Sequence, residues 1–313
     1  MAVKQTSEVP KNIPVLMAGW PGMGNVGIGA ADYLRRKLGG KVCAKIDVSR
    51  YCFPESIEVD SGIGRIPDLP AHDIYLISDP PFFVFEGEVQ VGGEAGLSIA
   101  QELLDFAVEH GVKTVYTGAA FASPVSALDP ARVFGVATDE RLKQTFPALG
   151  VEPLAEGRIS GLNGLLLGLA GSRGLPAACF LATMPHYAIQ TPNPKASKAV
   201  VQVLERILNT SVDMTEIDAA IAESDRVLGE FESRVNEAIQ ALKQQAERSA
   251  SDEEEEHQPE PHEVMDRVER LFEQVQRDRS KAGILKAELD RWGLFHLYED
   301  RFLDLFDKKR RKS

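Results

Sequence analysis

The chain has 313 residues, of which 43% are hydrophobic and 26% charged, and its formal net charge is −12. This is the composition of a globular protein, and it excludes a chain that is fibrous or disordered throughout. Residues 1–212 carry 18 basic and 21 acidic side chains, whereas residues 213–313 carry 17 and 26. Because the acidity increases towards the C-terminus and no broad basic surface is expected, we predict no nucleic-acid partner.

Three features bear on the cellular compartment. The first twelve residues are polar, so no signal peptide is expected. The longest apolar run, Leu162–Ala170, is about half of the ~20 residues that a membrane-spanning helix needs. Cys43, Cys52 and Cys179 form neither a paired framework nor a C-x-x-C site. We therefore expect a cytoplasmic protein with reduced cysteines and no membrane partner.

The first two thirds of the chain alternate short apolar runs with helical periods, a pattern typical of an α/β domain. Strands are predicted at Val15–Gly19, Val42–Asp47, Asp73–Ser78, Lys113–Gly118, Arg132–Ala137 and Ala177–Thr183. Helices are predicted at Asn25–Leu38, Gly93–His110, Asn163–Gly171 and Pro194–Leu208. Within the proline-containing stretch 48–72, the alternation from Ile57 to Asp60 favours a β-hairpin. Glu86 and Glu88 are predicted on a rim loop. The sum is about seven strands in a single sheet flanked by helices, in a domain over residues 1–212.

The character of the sequence changes after residue 213. Apolar residues recur at alternating steps of four and three, a heptad pattern sustained over more than three repeats. The stripe consists of Ile217, Ile221, Ser224, Leu228, Phe231, Val235, Ala238 and Leu242. We predict a long amphipathic helix over residues 213–250. Its stripe must be buried, and two alternatives stay open: the helix lies back on its own domain, or it packs as a coiled coil against another subunit or partner.

The last part of the chain divides into an acidic linker and a tail. Residues 251–262 cannot bury apolar surface, so we predict a flexible linker. His257 and His262 on such a backbone make a poor metal site, and we expect no bound metal. Residues 263–313 carry two short apolar stripes and are too few for a robust core of their own. We expect a helical hairpin that docks on a partner or a neighbouring subunit.

A glycine turn joins the first predicted strand to the first helix. Gly22, Gly24 and Gly27 match the pattern G-x-G-x-x-G, and Asp47 follows about twenty residues later, as in dinucleotide-binding domains. Such a turn would hold a pyrophosphate against the start of the helix.

Three observations oppose that function. Gly19-Trp20-Pro21 separates the strand from the first motif glycine, and Pro21 lacks a backbone donor. Residues 48–72 also lack the helix that would lead to a third parallel strand. We therefore favour a turn whose glycines allow close packing of helix and strand, and we expect no cofactor.

Two further groups of residues are candidates for binding. Ser160, Asn163 and Gly164 precede an apolar helix and would either cradle an anion with backbone N–H groups or simply cap the helix, the alternative we favour. His186 and Tyr187 follow the last strand, at the sheet edge where α/β proteins place ligands. A histidine there can act as a general base, but we favour a pair that fixes a loop by hydrogen bonds. No complete set of catalytic residues is present.

Several segments in a fixed order carry a family resemblance. They are Gly19–Gly27, Tyr116–Gly118, Ile159–Leu166, Met184–Tyr187 and Asn193–Ala196. Their order and separation over about 200 residues are similar to those of the proteasome assembly chaperone 2 family and its bacterial and archaeal relatives. The resemblance implies a nucleoside-phosphorylase-like α/β fold, an oligomeric protein and no established catalytic residues.

The resemblance also implies a function. Members in archaea and eukaryotes act as chaperones for proteasome assembly, and archaeal relatives dock on the proteasome through a C-terminal hydrophobic-Tyr-any tail. This chain departs from that pattern in two places. It ends Arg311-Lys312-Ser313, which counts against docking by that route, and Ala119–Ala122 replaces a Thr-Arg-Pro-like segment.

Together these observations favour a non-enzymatic chaperone-like or scaffold protein that forms a homo-oligomer, such as a trimer, and contacts other proteins through its C-terminal helices. The interface residues predicted on the long helix are Ile217, Ile221, Leu228, Phe231, Val235 and Leu242. The candidate binding residues are Trp20, Gly22, Gly24, Asn25, Gly27, Ser160, Asn163, Gly164, His186 and Tyr187. The alternative is a small-molecule enzyme or binder that takes a nucleoside or phosphate ligand at the glycine-rich turns.

Overall fold

A mixed β-sheet organises the first part of the chain. The computed structural model describes residues 3–52, 56–249 and 260–306. Across these residues the strands are β1 Val3–Gln5, β2 Val15–Gly19, β3 Lys41–Ile46, β4 Glu58–Asp60, β5 Ile63–Arg65, β6 His72–Ser78, β7 Pro81–Gly87, β8 Thr114–Ser123, β9 Val133–Ala137, β10 Glu152–Pro153 and β11 Ala177–Pro185. In the described residues nine of them form one sheet in the order β1-β3-β6-β7-β2-β8-β11-β9-β10, and β4 and β5 form a separate pair.

The helices alternate with these strands and then continue alone. They are α1 Val26–Lys37, α2 Gly93–Glu109, α3 Glu140–Lys143, α4 Gly161–Ser172, α5 Pro194–Leu208, α6 Thr215–Ser249, α7 Pro261–Arg277, α8 Ala282–Arg291 and α9 Phe295–Asp304. None of the helices in the described ranges is long and apolar enough to cross a bilayer. The chain divides into two units, one within residues 1–121, 130–184 and 190–221, the other within 122–129, 185–189 and 222–313.

Helices cover both faces of the sheet in the first unit. Strand β2 runs parallel to β7 on one side and to β8 on the other, so it lies inside the sheet, and four of its five residues are buried. Leu16 on β2 and Phe83 on β7 belong to one apolar cluster with Leu103 of α2 and Leu166 of α4. The opposite face is covered by α1 and α5, which pack against each other. The predicted α/β class, a single sheet flanked by helices with a helical C-terminal extension, is confirmed.

The sequence reading missed strand β7. Phe82, Phe83, Val84 and Phe85 are fully buried there, and β7 pairs with both β6 and β2. The prediction that Glu86 lies on a rim loop is wrong, because Glu86 is the sixth residue of β7. A short, continuously apolar strand shows no alternation when both faces are covered, so period-based reading finds no signal.

For the other elements, the predicted type of secondary structure agrees with the structure, and only the end residues differ. Strand β8 runs on to Ser123, and α5 has the predicted bounds. The hairpin predicted within 48–72 is confirmed, with Glu58 opposite Arg65 and Asp60 opposite Ile63. The sheet also takes in β1, which pairs antiparallel with β3 and for which no prediction was made.

The second unit is helical and has its own apolar core. Buried residues of α6 and of the tail helices form one cluster: Val235, Ile239, Val264, Met265, Val268, Phe272, Val275, Leu285, Leu289, Leu294, Tyr298 and Leu305. The expected two-helix hairpin is wrong in the number of helices: the tail consists of three described helices, which pack on α6 of the same chain. A helix on the same chain is available at high effective concentration, which favours this intramolecular packing.

The linker prediction falls mostly outside the described residues. Residues 250–259 are not described, and residues 261 and 262 form the start of α7. Proline at the first position of that helix costs no hydrogen bond there, and Glu263 accepts a hydrogen bond from the backbone N–H of Glu260 at 2.8 Å.

Candidate functional site

The glycine turn begins where β2 ends and closes into a short 3-10 helix before α1. Gly24 and Asn25 have left-handed backbone angles, with φ of 60° and 50°. The Asn25 N–H donates to the Gly22 carbonyl at 2.9 Å. Gly22, Met23 and Asn25 face outward, whereas Gly24 is buried. The turn therefore presents a short exposed edge on a buried base.

The base of this turn is filled by the protein itself. The Asn193 N–H donates to the Gly24 carbonyl at 2.8 Å. A Cβ on Gly24 would lie 2.7 Å from the Met184 sulfur, and the Asn193 side chain caps α5 through the Ala196 N–H. The start of α5 is thus tied to the turn, and the buried side of the turn has no room for a ligand group.

Two of the glycines bring backbones into contact. A Cβ on Gly27 of α1 would overlap the carbonyl oxygen of Gly118 on β8, and a Cβ on Gly19 would lie 2.7 Å from the carbonyl oxygen of Gly27. Both contacts are with backbone atoms, which cannot move aside as a flexible side chain would. The glycines at these two positions therefore allow α1 to lie directly on β2 and β8.

Asn163 on α4 holds the turn from the other side. Its Oδ1 accepts from the Trp20 N–H at 3.1 Å, and its Nδ2 donates to the Trp20 carbonyl at 3.3 Å. Its own carbonyl accepts from the Thr117 hydroxyl at 3.1 Å. The side chain is almost fully buried. The Asn163 side-chain amide thus pairs with the backbone N–H and carbonyl of Trp20, as a neighbouring strand would. Both ends of the amide are used by these bonds and are not available to a ligand.

The indole of Trp20 is also part of the core. It packs on Phe85 with ring centroids 4.7 Å apart, and a Cβ on Gly87 would lie 2.5 Å from its Nε1. The side chain is fully buried, and Nε1 has no hydrogen-bond acceptor in the described part of the chain. Trp20 is therefore not available to stack on an external ligand.

Gln90 joins the turn to the start of α4, a role that sequence reasoning missed. Its Nε2 donates to the Pro21 carbonyl, and its Oε1 accepts from the Leu162 N–H at 3.1 Å. One of the N–H groups that an anion would need at the start of α4 is therefore already paired. A lone glutamine after an unrecognised strand gives no sequence signal for this role.

The segment 160–164 leads into α4, and its glycines shape that start. Ser160 lies at the N-cap position, but its side chain makes no capping hydrogen bond. Gly161, with φ of 78°, provides the turn into the helix, and a Cβ on Gly164 would overlap the Ile159 carbonyl. The short side chains at these positions serve close packing of the 159–164 segment on itself.

A groove runs along the first unit beside this segment, between the start of α2 and one side of α4. Its volume is about 770 Å³. Backbone and aliphatic side chains form most of its surface, and it is lined by Gln90, Val91, Gly92, Gly93, Gly96, Ile159, Gly161, Leu162, Gly164, Leu165, Gly168, Leu169 and Ser172. We call it the α2–α4 groove.

His186 and Tyr187 belong to the second unit and are not part of the turn. The Tyr187 hydroxyl donates to Glu232 of α6, which also accepts from the Ser126 hydroxyl at 2.6 Å and the Ala127 N–H at 2.8 Å. Burial, and then the hydrogen bond to the carboxylate, raise the pKa of Tyr187 well above its usual value. A single carboxylate thus holds the 122–129 loop and the 185–189 turn on α6.

His186 has a carboxylate partner as well. Its Nδ1 lies 3.4 Å from Oδ2 of Asp266 on α7, a buried carboxylate whose pKa is raised by burial and partly lowered by the histidine. Sequence reasoning missed Glu232 and Asp266. The signal that could have identified these two residues is a charged side chain on the apolar side of an amphipathic helix. A search for apolar heptads passes over such a residue.

The predicted interface residues of α6 differ in burial. Ile217 is buried, and its N–H lies 3.4 Å from the hydroxyl of Tyr33, which donates to the Asp213 carbonyl. Val235 is buried in the core of the second unit. Ile221, Leu228 and Phe231 are half-buried, and the side chain of Leu242 lies outside the described residues.

The candidates for metal binding and for nucleophilic catalysis are the clustered acidic, histidine and cysteine side chains and the free thiols. The described residues contain no cluster of three or more His, Cys, Asp or Glu side chains arranged to hold a metal. Cys43 and Cys179 are buried free thiols, and burial raises their pKa to about 11 and about 12. A protonated, inaccessible thiol is a poor nucleophile.

The fold and the turn can be compared with known proteins. The chain is similar to an archaeal proteasome activator from Pyrococcus furiosus, PbaB, at 24% identity over 74% of this chain and 98% of that one, with a TM-score of 0.63. A PAC2 family protein from Streptomyces avermitilis is 26% identical over 68% and 94% of the two chains, with a TM-score of 0.59. A Mycobacterium tuberculosis proteasome-assembly chaperone homologue is 24% identical over 69% and 94%, with a TM-score of 0.59.

No curated protein matches the sequence. The model of the PAC2 family matches residues 16–232, which include the glycine turn, the Asn163 helix and the first part of α6. Since the match extends over more than half of the sequence, the chain belongs to the PAC2 family.

Proposed function

We propose that this protein is a non-enzymatic assembly chaperone or scaffold that acts through protein–protein contacts in the cytoplasm, as a homo-oligomer. One observation supports this most strongly. The turn that resembles a nucleotide-binding loop is occupied by the protein's own groups, with Asn193 and Met184 on its buried side and Asn163 and Gln90 beside it. What this part of the molecule offers to other molecules is its outer surface.

The tail supplies a second surface for partners. Its core faces α6, and several large apolar side chains remain exposed: Ile284, Leu297, Leu303 and Phe306. They lie on α8, on α9 and just after α9, and exposed apolar side chains on neighbouring helices are typical of protein-binding surfaces. The C-terminal helices therefore bind a partner through the side that does not pack on α6.

The solved relatives suggest which partner to test first. One is an archaeal proteasome activator and another a proteasome-assembly chaperone homologue. The experiment mixes the full chain with purified 20S proteasome α and β subunits from the same organism and follows particle formation by native electrophoresis. We expect the protein to bind these subunits and to shorten the time to assembled particles. Unchanged assembly without binding would contradict the proteasome as its partner.

A matched pair of variants locates the contact. Leu303→Asp places a charge on the exposed side of α9, and Val108→Asp does the same on the exposed side of α2. We expect Leu303→Asp to weaken capture of the partner and Val108→Asp to leave it unchanged. Equal capture by both variants would remove the tail from the binding surface.

The alternative function is that of a nucleoside or phosphate binder, and the α2–α4 groove is the observation that favours it. A ligand at 100 times its Kd stabilises the folded state by about 2.7 kcal/mol, which a thermal-shift assay detects. We expect no shift with nucleotides, nucleosides or phosphate. A shift that is lost in Leu165→Asp, at a residue that lines the groove, would support the alternative in place of the chaperone.

A further inference from the structure

Asp266 is a carboxylate on the buried side of α7. The residue is 4% exposed, and it lies next to Met265 and two residues before Val268, both of which belong to the apolar core of the second unit. Its Oδ1 is buried and accepts no hydrogen bond within the described part of the chain. A buried carboxylate without compensating partners is costly, so the groups that face Asp266 decide how well α7 packs.

The side chain that faces this carboxylate is His186, in the 185–189 turn of the same unit. Its Nδ1 lies 3.4 Å from Oδ2 of Asp266, and its side chain is 45% exposed. The two groups therefore differ in their access to water: the histidine can exchange a proton with solvent, whereas the carboxylate is buried. A proton that His186 takes up from solvent changes the charge that Asp266 meets.

The strength of this contact depends on whether the pair holds a proton. When His186 is protonated, the pair is a hydrogen-bonded ion pair that balances the buried charge. When His186 is neutral, an ionised Asp266 lies beside an uncharged ring, which compensates its burial much less. Histidine as a residue type gains its charge between about pH 8 and pH 5, so both states are accessible near neutral pH.

The burial of Asp266 acts in the same direction. Burial raises the pKa of Asp266, and the charge and hydrogen bond of His186 lower it in part. A carboxyl group with a raised pKa holds its proton more tightly when α7 is packed than when α7 is released. Whichever of the two groups carries the proton, packing of α7 is accompanied by proton uptake, so the packed state weakens as the pH rises.

Other titratable and charged groups surround the pair. They are His262 and Arg270 on α7, Tyr187 in the turn, Glu232 on α6 and Tyr298 on α9. Burial raises the pKa of both tyrosines well above its usual value, so they stay uncharged near neutral pH. Of the five, only His262 belongs to a residue type that titrates near neutral pH, and it lowers the pKa of Asp266 less than His186 or Arg270 does.

We propose that His186 and Asp266 form a proton-dependent latch that fastens α7 to the 185–189 turn. The latch is closed when the pair holds a proton and loosens when the proton leaves. Val264 and Val268 lie on α7 two residues to either side of Asp266 and belong to the core of the second unit, so loosening the latch weakens the packing of that core. The inference concerns the stability of this unit and is independent of the partner that the protein binds.

Amide hydrogen exchange of the full chain tests the latch. Exchange of the α7 amides is followed by mass spectrometry from pH 5.5 to pH 8, and dividing each rate by the intrinsic rate at that pH gives the opening equilibrium of the helix. One proton bound on closing changes this equilibrium by up to about tenfold per pH unit. We expect opening of α7 to increase about threefold or more between pH 6 and pH 7.5 in the wild type. We expect this increase to be absent in His186→Gln and in Asp266→Asn.

Two other histidines provide the controls. His296 on α9 lies 3.7 Å from Glu299 but is 93% exposed, and His262 lies on α7 itself. We expect His296→Gln and His262→Gln to keep the wild-type dependence on pH. A wild-type opening equilibrium that does not change with pH, or a dependence that persists in His186→Gln, overturns the latch and leaves the proposed function untouched. Because the change with pH is compared and not the absolute protection, a less stable variant still reports on the latch.

Discussion

At the scale of single residues, Gly27 leaves no room for a side chain. A Cβ there would overlap the backbone oxygen of Gly118, so α1 and β8 would have to separate. We expect Gly27→Ala to destabilise the first unit by about 2 kcal/mol, the range of an overpacked core. Urea denaturation followed by Trp20 fluorescence, in a Trp292→Phe background, measures the change.

Gly168 provides the control for this substitution. It lies in α4, and a Cβ added there meets nothing within 4 Å. We expect Gly168→Ala to be neutral or stabilising by up to about 1 kcal/mol, because alanine favours the helix. Equal midpoints for Gly27→Ala and Gly168→Ala would contradict the close-packing role of the turn.

Asn163 is a second residue whose contacts predict how much stability a substitution would cost. Asn163→Leu keeps the volume but leaves the buried N–H and carbonyl of Trp20 without their partners. We expect a loss of about 1–3 kcal/mol for each unpaired group. The same fluorescence measurement applies, and a change below about 0.5 kcal/mol would show that other groups replace the amide.

At the scale of elements, Glu232 connects two loops to α6. It accepts hydrogen bonds from Ser126, Ala127 and Tyr187, and bonds to a charged acceptor contribute about 1.5–3 kcal/mol. We expect Glu232→Gln to raise the hydrogen-exchange rate of the Ala127 amide at least tenfold. Glu230→Gln, two residues away on α6 and in an exposed ion pair with Arg226, is the control and should leave that rate unchanged.

The elements also show where sequence patterns fail. The amphipathic helix α5 was predicted with its observed bounds because its capping residues Asn193 and Pro194 and its 3.6-residue period are local signals. Strand β7 was missed because a strand buried on both faces has no period to read. The sequence does not identify the surface that covers the α6 stripe, since a heptad pattern requires burial without saying which surface provides it.

At the scale of the whole molecule, buried thiols make stability depend on alkaline pH. Cys43 and Cys179 ionise near pH 9 when unfolded, and burial raises their pKa in the folded protein to about 11 and about 12. Between pH 9 and 10 the folded state therefore holds more protons than the unfolded state. Because the unfolded thiol is half ionised at pH 9 and about nine-tenths ionised at pH 10, the free energy of unfolding falls by about 1 kcal/mol for each thiol over this interval.

Substitution isolates this dependence. Cys179→Ala changes the absolute stability but removes the contribution of one thiol to the slope, so the slope is the quantity to compare. Cys52→Ala is the control, because Cys52 is only partly buried and should contribute less. Identical slopes for the wild type and Cys179→Ala, in denaturant titrations at pH 9–10, would contradict the burial of that thiol.

The sequence by itself determined the α/β class, most of the strands and helices, and the family, through a set of glycine and asparagine segments in a fixed order. These properties are encoded locally, in hydrophobic periods, capping residues and turns that need glycine.

Tertiary structure alone decided what those segments do. Gly24 could hold a ligand or meet Met184, and Asn163 could cap a helix or pair with Trp20; nothing in their sequence surroundings distinguishes these outcomes. The distinction depends on atoms that are far apart along the chain and are brought within hydrogen-bond distance by the packing of the sheet and helices. For the same reason, only the folded chain reveals that Asp266 faces His186 while the apolar stripe of the tail is covered.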